Sequence, residues 1–250
     1  MHAADDPVAA AFASEAKARG CFTCDSPGPG SAGIVAGYVQ VRSDDGTKKT
    51  ILHKNALRLI GDFQLENVLA ASLAATWLGA PTHQIGFAMA TATPLPFRLQ
   101  LLTTIDGVHI YDNSVSTEVE STRLALAAVK TTQRVHWLGG GKSKDGDHGK
   151  VARVVAEHAV SAHVFGAAAG PFAEHCQIPT TSHLTLREGL AAALEIARPG
   201  DAVLFSPAFA SFDQYPNFRS RALEFHSLVR DRRSGTDRTV TDRAADTTHS

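Results

Sequence analysis

Between residues 134 and 205, short apolar runs alternate with amphipathic stretches, and this rhythm limits the possible folds more than any other feature of the chain. Residues 134–138, 162–165 and 202–205 have the length and composition of buried strands, and a short strand near Thr181 joins them. Residues 150–160, 171–176 and 186–197 carry helical patterns, the last stopped by Pro199-Gly200. Strand and helix in turn predict a mainly parallel α/β sheet with helices on both faces. Ligands of such sheets bind at the carboxyl ends of the strands. The last apolar run leads into Ser206-Pro207-Ala208-Phe209-Ala210-Ser211-Phe212-Asp213-Gln214-Tyr215-Pro216-Asn217-Phe218. Ala208, Ala210 and Ser211 are small enough for a ligand to approach the backbone. Ser211 suits a helix N-cap and Asp213 a first turn, which predicts a helix starting just after Ser211. Phe218, Leu223, Phe225, Leu228 and Val229 give that helix its apolar positions. An ordinary loop before a helix uses the same residue types, so both readings stand here.

Upstream, residues 98–105 and 108–112 read as a hairpin about Asp106-Gly107, followed by a helix over 117–129. Nearer the N-terminus an Ala-rich helix is predicted over 8–18, then strands over 34–41 and 48–52 separated by Asp44-Asp45-Gly46. Gly28, Gly30 and Gly33 lie among Pro and Ser and read as a loop. Helices are predicted over 61–78 and 82–92, and Pro94 and Pro96 break the pattern. A domain boundary is therefore expected near residue 95, giving domains 1–95 and 96–230. From Asp231 the chain is polar and charged without apolar periodicity, which predicts a disordered tail over 231–250.

Composition excludes several classes. A net charge of −1 supplies no global field for nucleic acid or a membrane surface. No apolar run approaches the length of a membrane span, and residues 1–7 do not resemble a signal peptide. The three cysteines make no disulfide framework, and the Cys21/Cys24 pair lacks the second pair a zinc site needs. Reduced thiols point to the cytoplasm. Neither a histidine spacing for metal, nor a GxSxG elbow, nor GxxxxGK[ST] occurs.

Four further stretches bear chemistry. Leu138-Gly139-Gly140-Gly141-Lys142-Ser143-Lys144-Asp145 lies between a strand and a helix, where glycines let N–H groups face an anion and a lysine adds charge; a flexible turn would look the same. Tyr111-Asp112-Asn113-Ser114-Val115-Ser116-Thr117 closes another strand. Gly61-Asp62-Phe63-Gln64-Leu65-Glu66-Asn67 opens a helix, and Leu95-Pro96-Phe97-Arg98 follows the domain boundary. In order and spacing, these stretches together with Ser206 to Arg221 resemble the Mur ligases, in particular the branch that adds D-glutamate, over most of the chain as far as about Arg230.

The resemblance implies a C-terminal Rossmann-like, mainly parallel sheet, preceded by the tail end of a central α/β ATPase domain. It assigns Thr117, Lys142, Ser211, Phe212 and Phe218 to D-glutamate, and Gln64, Asn67, Arg98 and Asn113 to the nucleotide side. ATP and Mg2+ are the implied cofactors. Four positions depart from the family pattern. Asn113 replaces a ribose-binding Asp, Val115 a phosphate-binding Lys, and Phe63 and Phe97 each a His. Lys142 and Asp145 align only with a one-residue deletion. The UDP-sugar domain, the P-loop and the modified lysine have no counterpart, so no catalytic residue and no metal ligand is assigned. The expectation is part of a ligase that forms an acyl phosphate on UDP-N-acetylmuramoyl-L-alanine and joins it to D-glutamate. Such a part would be inactive alone, and would be either a gene fragment or the partner of a separate chain carrying the UDP-sugar and P-loop domains. A reading of a different class is a non-catalytic binding module whose sites have drifted.

Overall fold

The computed structural model describes residues 1–15, 20–143 and 147–246, in two units, Met1–Pro94 and Leu95–Ser250. No helix of the described residues is long and apolar enough to cross a membrane.

In the first unit, five strands follow one another in sequence order across a sheet: β1 (His2–Ala3), β2 (Cys21–Phe22), β3 (Ser31–Val35), β4 (Tyr38–Arg42) and β5 (Lys48–His53). The first three are parallel, and the last two pairings are antiparallel. Helix α1 (Pro7–Glu15) precedes β2; its expected extension to Ala18 lies outside the described residues. Helices α2 (Asp62–Trp77) and α3 (Thr82–Thr91) follow, and Val68, Leu69 and Leu73 of α2 bury against Ala32, Val39 and Val41. The expected single strand over 34–41 is in fact β3 and β4 joined by a turn at Ala36-Gly37, with φ of 50° and 81°. Two left-handed residues are what a tight two-residue hairpin requires. Alanine is not a usual turn signal, which hid the break.

The second unit carries the parallel α/β sheet. Its strands are β6 (Gln100–Ile105), β7 (Val108–Asp112), β8 (Val135–Gly140), β9 (Ser161–Phe165), β10 (Thr180–His183) and β11 (Ala202–Phe205), in spatial order β10-β9-β8-β11-β7-β6. Among the strand pairings of the described residues in this sheet, only β6/β7 is antiparallel. The connecting helices are α4 (Val119–Lys130), α5 (His148–His158), α6 (Ala169–Ala173) and α7 (Leu186–Ile196), and α8 (Phe218–Asp246) comes last. Strands β8, β9 and β11 are buried along their whole length, as apolar runs covered on both faces must be. Alternate residues serve opposite faces. Leu138, Phe165, Val203 and Phe205 pack with Leu186, Leu190, Phe225 and Leu228 of α7 and α8. Trp137 points the other way and stacks on Phe172 of α6 at 5.0 Å.

Two expectations are corrected here. Helix α8 begins at Phe218, not just after Ser211. Pro216 has no N–H to give, and Asn217 caps the helix through Oδ1, which accepts from the Ser220 N–H at 2.9 Å. Ser211 instead opens a separate turn, its carbonyl accepting from the N–H groups of Gln214 and Tyr215. The polar stretch from Asp231, expected to be disordered, continues α8 through Asp246. Residues 247–250 lie outside the described residues.

Candidate functional site

The carboxyl ends of β7, β8, β9 and β11 converge on one edge of the second sheet, and the loops that leave them are tied together. At the end of β8 the chain turns through Gly140 and Gly141, with φ of 141° and 131°. A Cβ at Gly140 would meet the Phe165 carbonyl oxygen at 2.1 Å, and one at Gly141 the Ala210 carbonyl oxygen at 2.2 Å. Glycine is therefore required twice, because two backbones pass within contact distance. Immediately beyond, Lys142 and Ala210 form an isolated antiparallel bridge, with N–H to O distances of 2.7 and 3.0 Å. The lysine-bearing turn and the loop of Ser211 are thus one hydrogen-bonded piece. Helix α5 follows, its Asp147 cap accepting from the Lys150 N–H at 3.0 Å. Lys144 and Asp145 lie outside the described residues.

Arg221 reinforces the same junction from α8. Its side chain is fully buried, and Nη1 donates to the carbonyls of Gly140 and Phe209, both at 3.0 Å. Among the described residues, Nε and Nη2 have no hydrogen-bond partner. Burial brings this guanidinium down to about 10, against the opposing pull of Asp213 and Tyr215. Asp213 accepts from the Ala167 N–H at 3.0 Å, which links the loop to the end of β9, while its other carboxylate oxygen is buried without a partner. Ala208 has φ of 63°, a strained conformation for a non-glycine residue, in the turn between β11 and this junction.

A second network fills the ends of β7 and β11. Ser206 Oγ lies 3.1 Å from Asn113 Nδ2 and 3.0 Å from Thr122 Oγ1, and Thr122 reaches Ser116 Oγ at 2.8 Å. Trp137 Nε1 donates to the Ser206 carbonyl at 2.8 Å. Fully buried Asp112 accepts from the N–H and hydroxyl of Ser114 and lies 2.6 Å from His226 Nε2.

Of the residues proposed for an amino-acid ligand, Lys142, Ser211 and Thr117 fall in one neighbourhood. Exposed Lys142 pairs with Ala210 beside buried Ser211. Thr117 lines a small pocket of about 50 Å³ with Ser143, Ala208 and Phe209. Phe212 projects outward, 70% exposed, and half-buried Phe218 is the first residue of α8. On the proposed nucleotide side, Arg98 is exposed, whereas the Asn113 amide is turned inward onto Ser206. Gln64 and Asn67 belong to the first unit, on the first turns of α2, where Asn67 Nδ2 donates to Gln64 Oε1 at 3.3 Å. Sequence reasoning gave Arg221 and the Asp112–His226 pair no structural or binding role, and Asp213 only a place in the first turn of a helix. Arg221 did leave a signal: it occupies a core position of α8, four residues before Phe225 and seven before Leu228.

The residues present do not fit ATP and Mg2+ by themselves. Asn113 is engaged with Ser206, Asp112 with His226 and Ser114, and Val115 has no polar atom to offer a phosphate. Among the described residues no group of three His, Cys, Asp or Glu side chains could hold a metal ion.

Residues 97–209 match the family model described as Mur ligase, glutamate ligase domain. The UDP-N-acetylmuramoylalanine–D-glutamate ligase of Lacticaseibacillus paracasei is 34% identical over 182 residues, covering 72% of this chain and 39% of the relative. The enzyme of the same name from Symbiobacterium thermophilum is 34% identical over 236 residues, covering 90% and 51%. The chain thus spans about half, or less, of the length of these curated relatives. Solved structures share the fold. MurF from Acinetobacter baumannii superposes with a TM-score of 0.64 at 17% identity, covering 89% of this chain and 51% of that one. MurF ligase from Thermotoga maritima in complex with ADP gives 0.58 at 16% identity, covering 85% and 49%.

Proposed function

The chain belongs to the Mur ligase family through its glutamate ligase domain, and from that premise we propose that it holds D-glutamate for amide-bond formation with the activated carboxyl of UDP-N-acetylmuramoyl-L-alanine. The observation that carries this reading is the Lys142–Ala210 bridge, which fixes a cationic turn against the loop of Ser211 at the carboxyl edge of the sheet. In this reading the Lys142 ammonium pairs with a carboxylate of the amino acid, as a compact point charge. Ser211 and Thr117 offer hydroxyls to it, and Phe212 and Phe218 flank its methylenes. Held in this way, the amine has one direction of approach to the activated carboxyl.

ATP and Mg2+, which would activate that carboxyl, are in this reading held by UDP-sugar and P-loop domains that lie outside this sequence. By the resemblance, Arg98 in the second unit and, separately, Gln64 and Asn67 in the first are the residues that would meet a nucleotide. In this reading the residues present do not activate the carboxyl by themselves, and the free thiols fit a reducing compartment such as the cytoplasm.

Calorimetric titration of D-glutamate into the chain, with L-glutamate as control, tests the reading. Binding of the D-enantiomer alone, lost in Ser211→Ala, is the expected result. Equal response to both enantiomers, or none in the presence of a P-loop-bearing front half, would overturn it. The inward Asn113 amide and apolar Val115 favour a second reading, a binding module without catalysis. ADP formation that depends on D-glutamate, on mixing the chain with a front half, distinguishes the two.

A further inference from the structure

Three histidines outside the candidate site are strung across neighbouring strands of the second sheet, alternating with two hydroxyls and ending on a carboxylate. From one end, Asp201 Oδ2 lies 3.1 Å from His136 Nε2, and His136 Nδ1 lies 2.8 Å from Ser161 Oγ. Ser161 Oγ is 3.1 Å from His163 Nε2, and His163 Nδ1 is 2.9 Å from Thr181 Oγ1. Thr181 Oγ1 then meets His183 Nε2 at 2.8 Å. Strand register creates the track, since His136 is paired with Ser161 and His163 with Thr181. Asp201, His136, Ser161 and His163 are buried, and His183 is partly exposed.

Proton counting leaves few arrangements. A hydroxyl has one proton to donate, and a neutral imidazole has one donor and one acceptor nitrogen. Against its burial, the Arg198 N–H and His136 hold Asp201 below the usual carboxylate range, so it accepts. His136 must then donate from Nε2 and accept at Nδ1 from the Ser161 hydroxyl. Ser161 in turn accepts from His163 Nε2, His163 Nδ1 accepts from Thr181, and Thr181 accepts from His183 Nε2. With all three rings neutral, every bond is satisfied and every bond points the same way, from His183 towards Asp201.

We propose that these six side chains form one binding site for a single proton, which enters at His183 and is stored as positive charge on His136 beside Asp201. A proton added at His183 Nδ1 lets His183 pass its Nε2 proton to Thr181, whose own hydroxyl proton moves to His163 Nδ1. His163 passes its Nε2 proton to Ser161, and the Ser161 hydroxyl proton moves to His136 Nδ1. Each group except His136 ends with the number of protons it began with, and every intervening bond is reversed without movement of a heavy atom. The charge comes to rest where a carboxylate faces it. Burial holds His183 below the usual imidazole range against the pull of Glu188 of α7, and Arg134 with His136 acts on Asp201. His163, between His136 and His183, is held neutral by burial. The entry end adjoins the candidate site, because Leu184, next after His183, accepts from Gln214 Nε2 at 2.6 Å.

Imidazole 15N spectra of the intact chain from pH 8 to pH 4 test the proposal. At pH 8 all three rings are expected as the Nε2–H tautomer. On acidification His163 and His183 should switch to Nδ1–H in step with double protonation of His136, at one shared midpoint. Ser161→Ala should separate His136 from the other two, and Thr181→Val should isolate His183, while Thr181→Ser keeps the shared midpoint. Three independent midpoints in the unchanged chain, an Nδ1–H tautomer at His163 at pH 8, or coupling that survives Thr181→Val would each overturn it. If Ser161→Ala does not fold, the Thr181→Ser and Thr181→Val pair decides.

Discussion

A Cβ on Gly141 would lie 2.2 Å from the Ala210 carbonyl oxygen, where φ is +131°. Gly141→Ala is therefore expected to lower stability by roughly 2 kcal/mol or more, through backbone strain and a disturbed Lys142–Ala210 bridge, as read by urea unfolding. The same variant should weaken D-glutamate binding, because the turn that carries Lys142 shifts with it. His163 gives a pH dependence of definite sign. Burial lowers it from 6.5 to about 4, so between those values the unfolded chain binds a proton that the fold refuses. Stability from this residue is complete above pH 6.5 and is lost as pH falls towards 4, by at most about 3 kcal/mol. Unfolding midpoints at pH 7.5 and pH 4.5 should differ in that direction, and His163→Gln should flatten the slope. The glycine turn was legible in the sequence because glycine marks close backbone approach. The two carbonyls that Arg221 ties together were not, because they come from positions 81 and 12 residues away in the chain.

At the scale of elements, α8 holds the second unit together from outside the sheet. Phe225 packs on Phe205 of the central strand at 4.4 Å, and His226, on the next residue, reaches Asp112. The start of this helix was misplaced from sequence because Ser211 and Asp213 have the side chains of a helix N-terminus. Asn217 has them as well, and Pro216 directly before it decides between the two. Asn217→Ala is expected to cost about 1 kcal/mol in thermal unfolding, whereas Ser211→Ala should leave the length of α8 unchanged by circular dichroism. Strands β8, β9 and β11 were legible as apolar runs because both of their faces are covered. The β3/β4 turn was not, since it uses a left-handed alanine.

At the scale of the molecule, each unit has its own hydrophobic core. Residues 95–250 expressed alone are expected to unfold in one cooperative transition, with coincident midpoints by tryptophan fluorescence and far-ultraviolet circular dichroism, Trp137 being the reporter. Alternation of strand and helix made the parallel sheet legible, but not the order of its strands, because which strand pairs with which depends on contacts far apart in the chain. The order has a consequence in time. β11 is the last strand to be written into the chain, yet it lies in the middle, paired with β7 on one side and β8 on the other. A ribosome that has released everything up to residue 200 has released two half-sheets with no seam between them, their apolar edges open to chaperones and to other nascent chains. Closure waits for four residues, 202–205, so a translational pause just before them would lengthen the period of greatest exposure, and one after them would not.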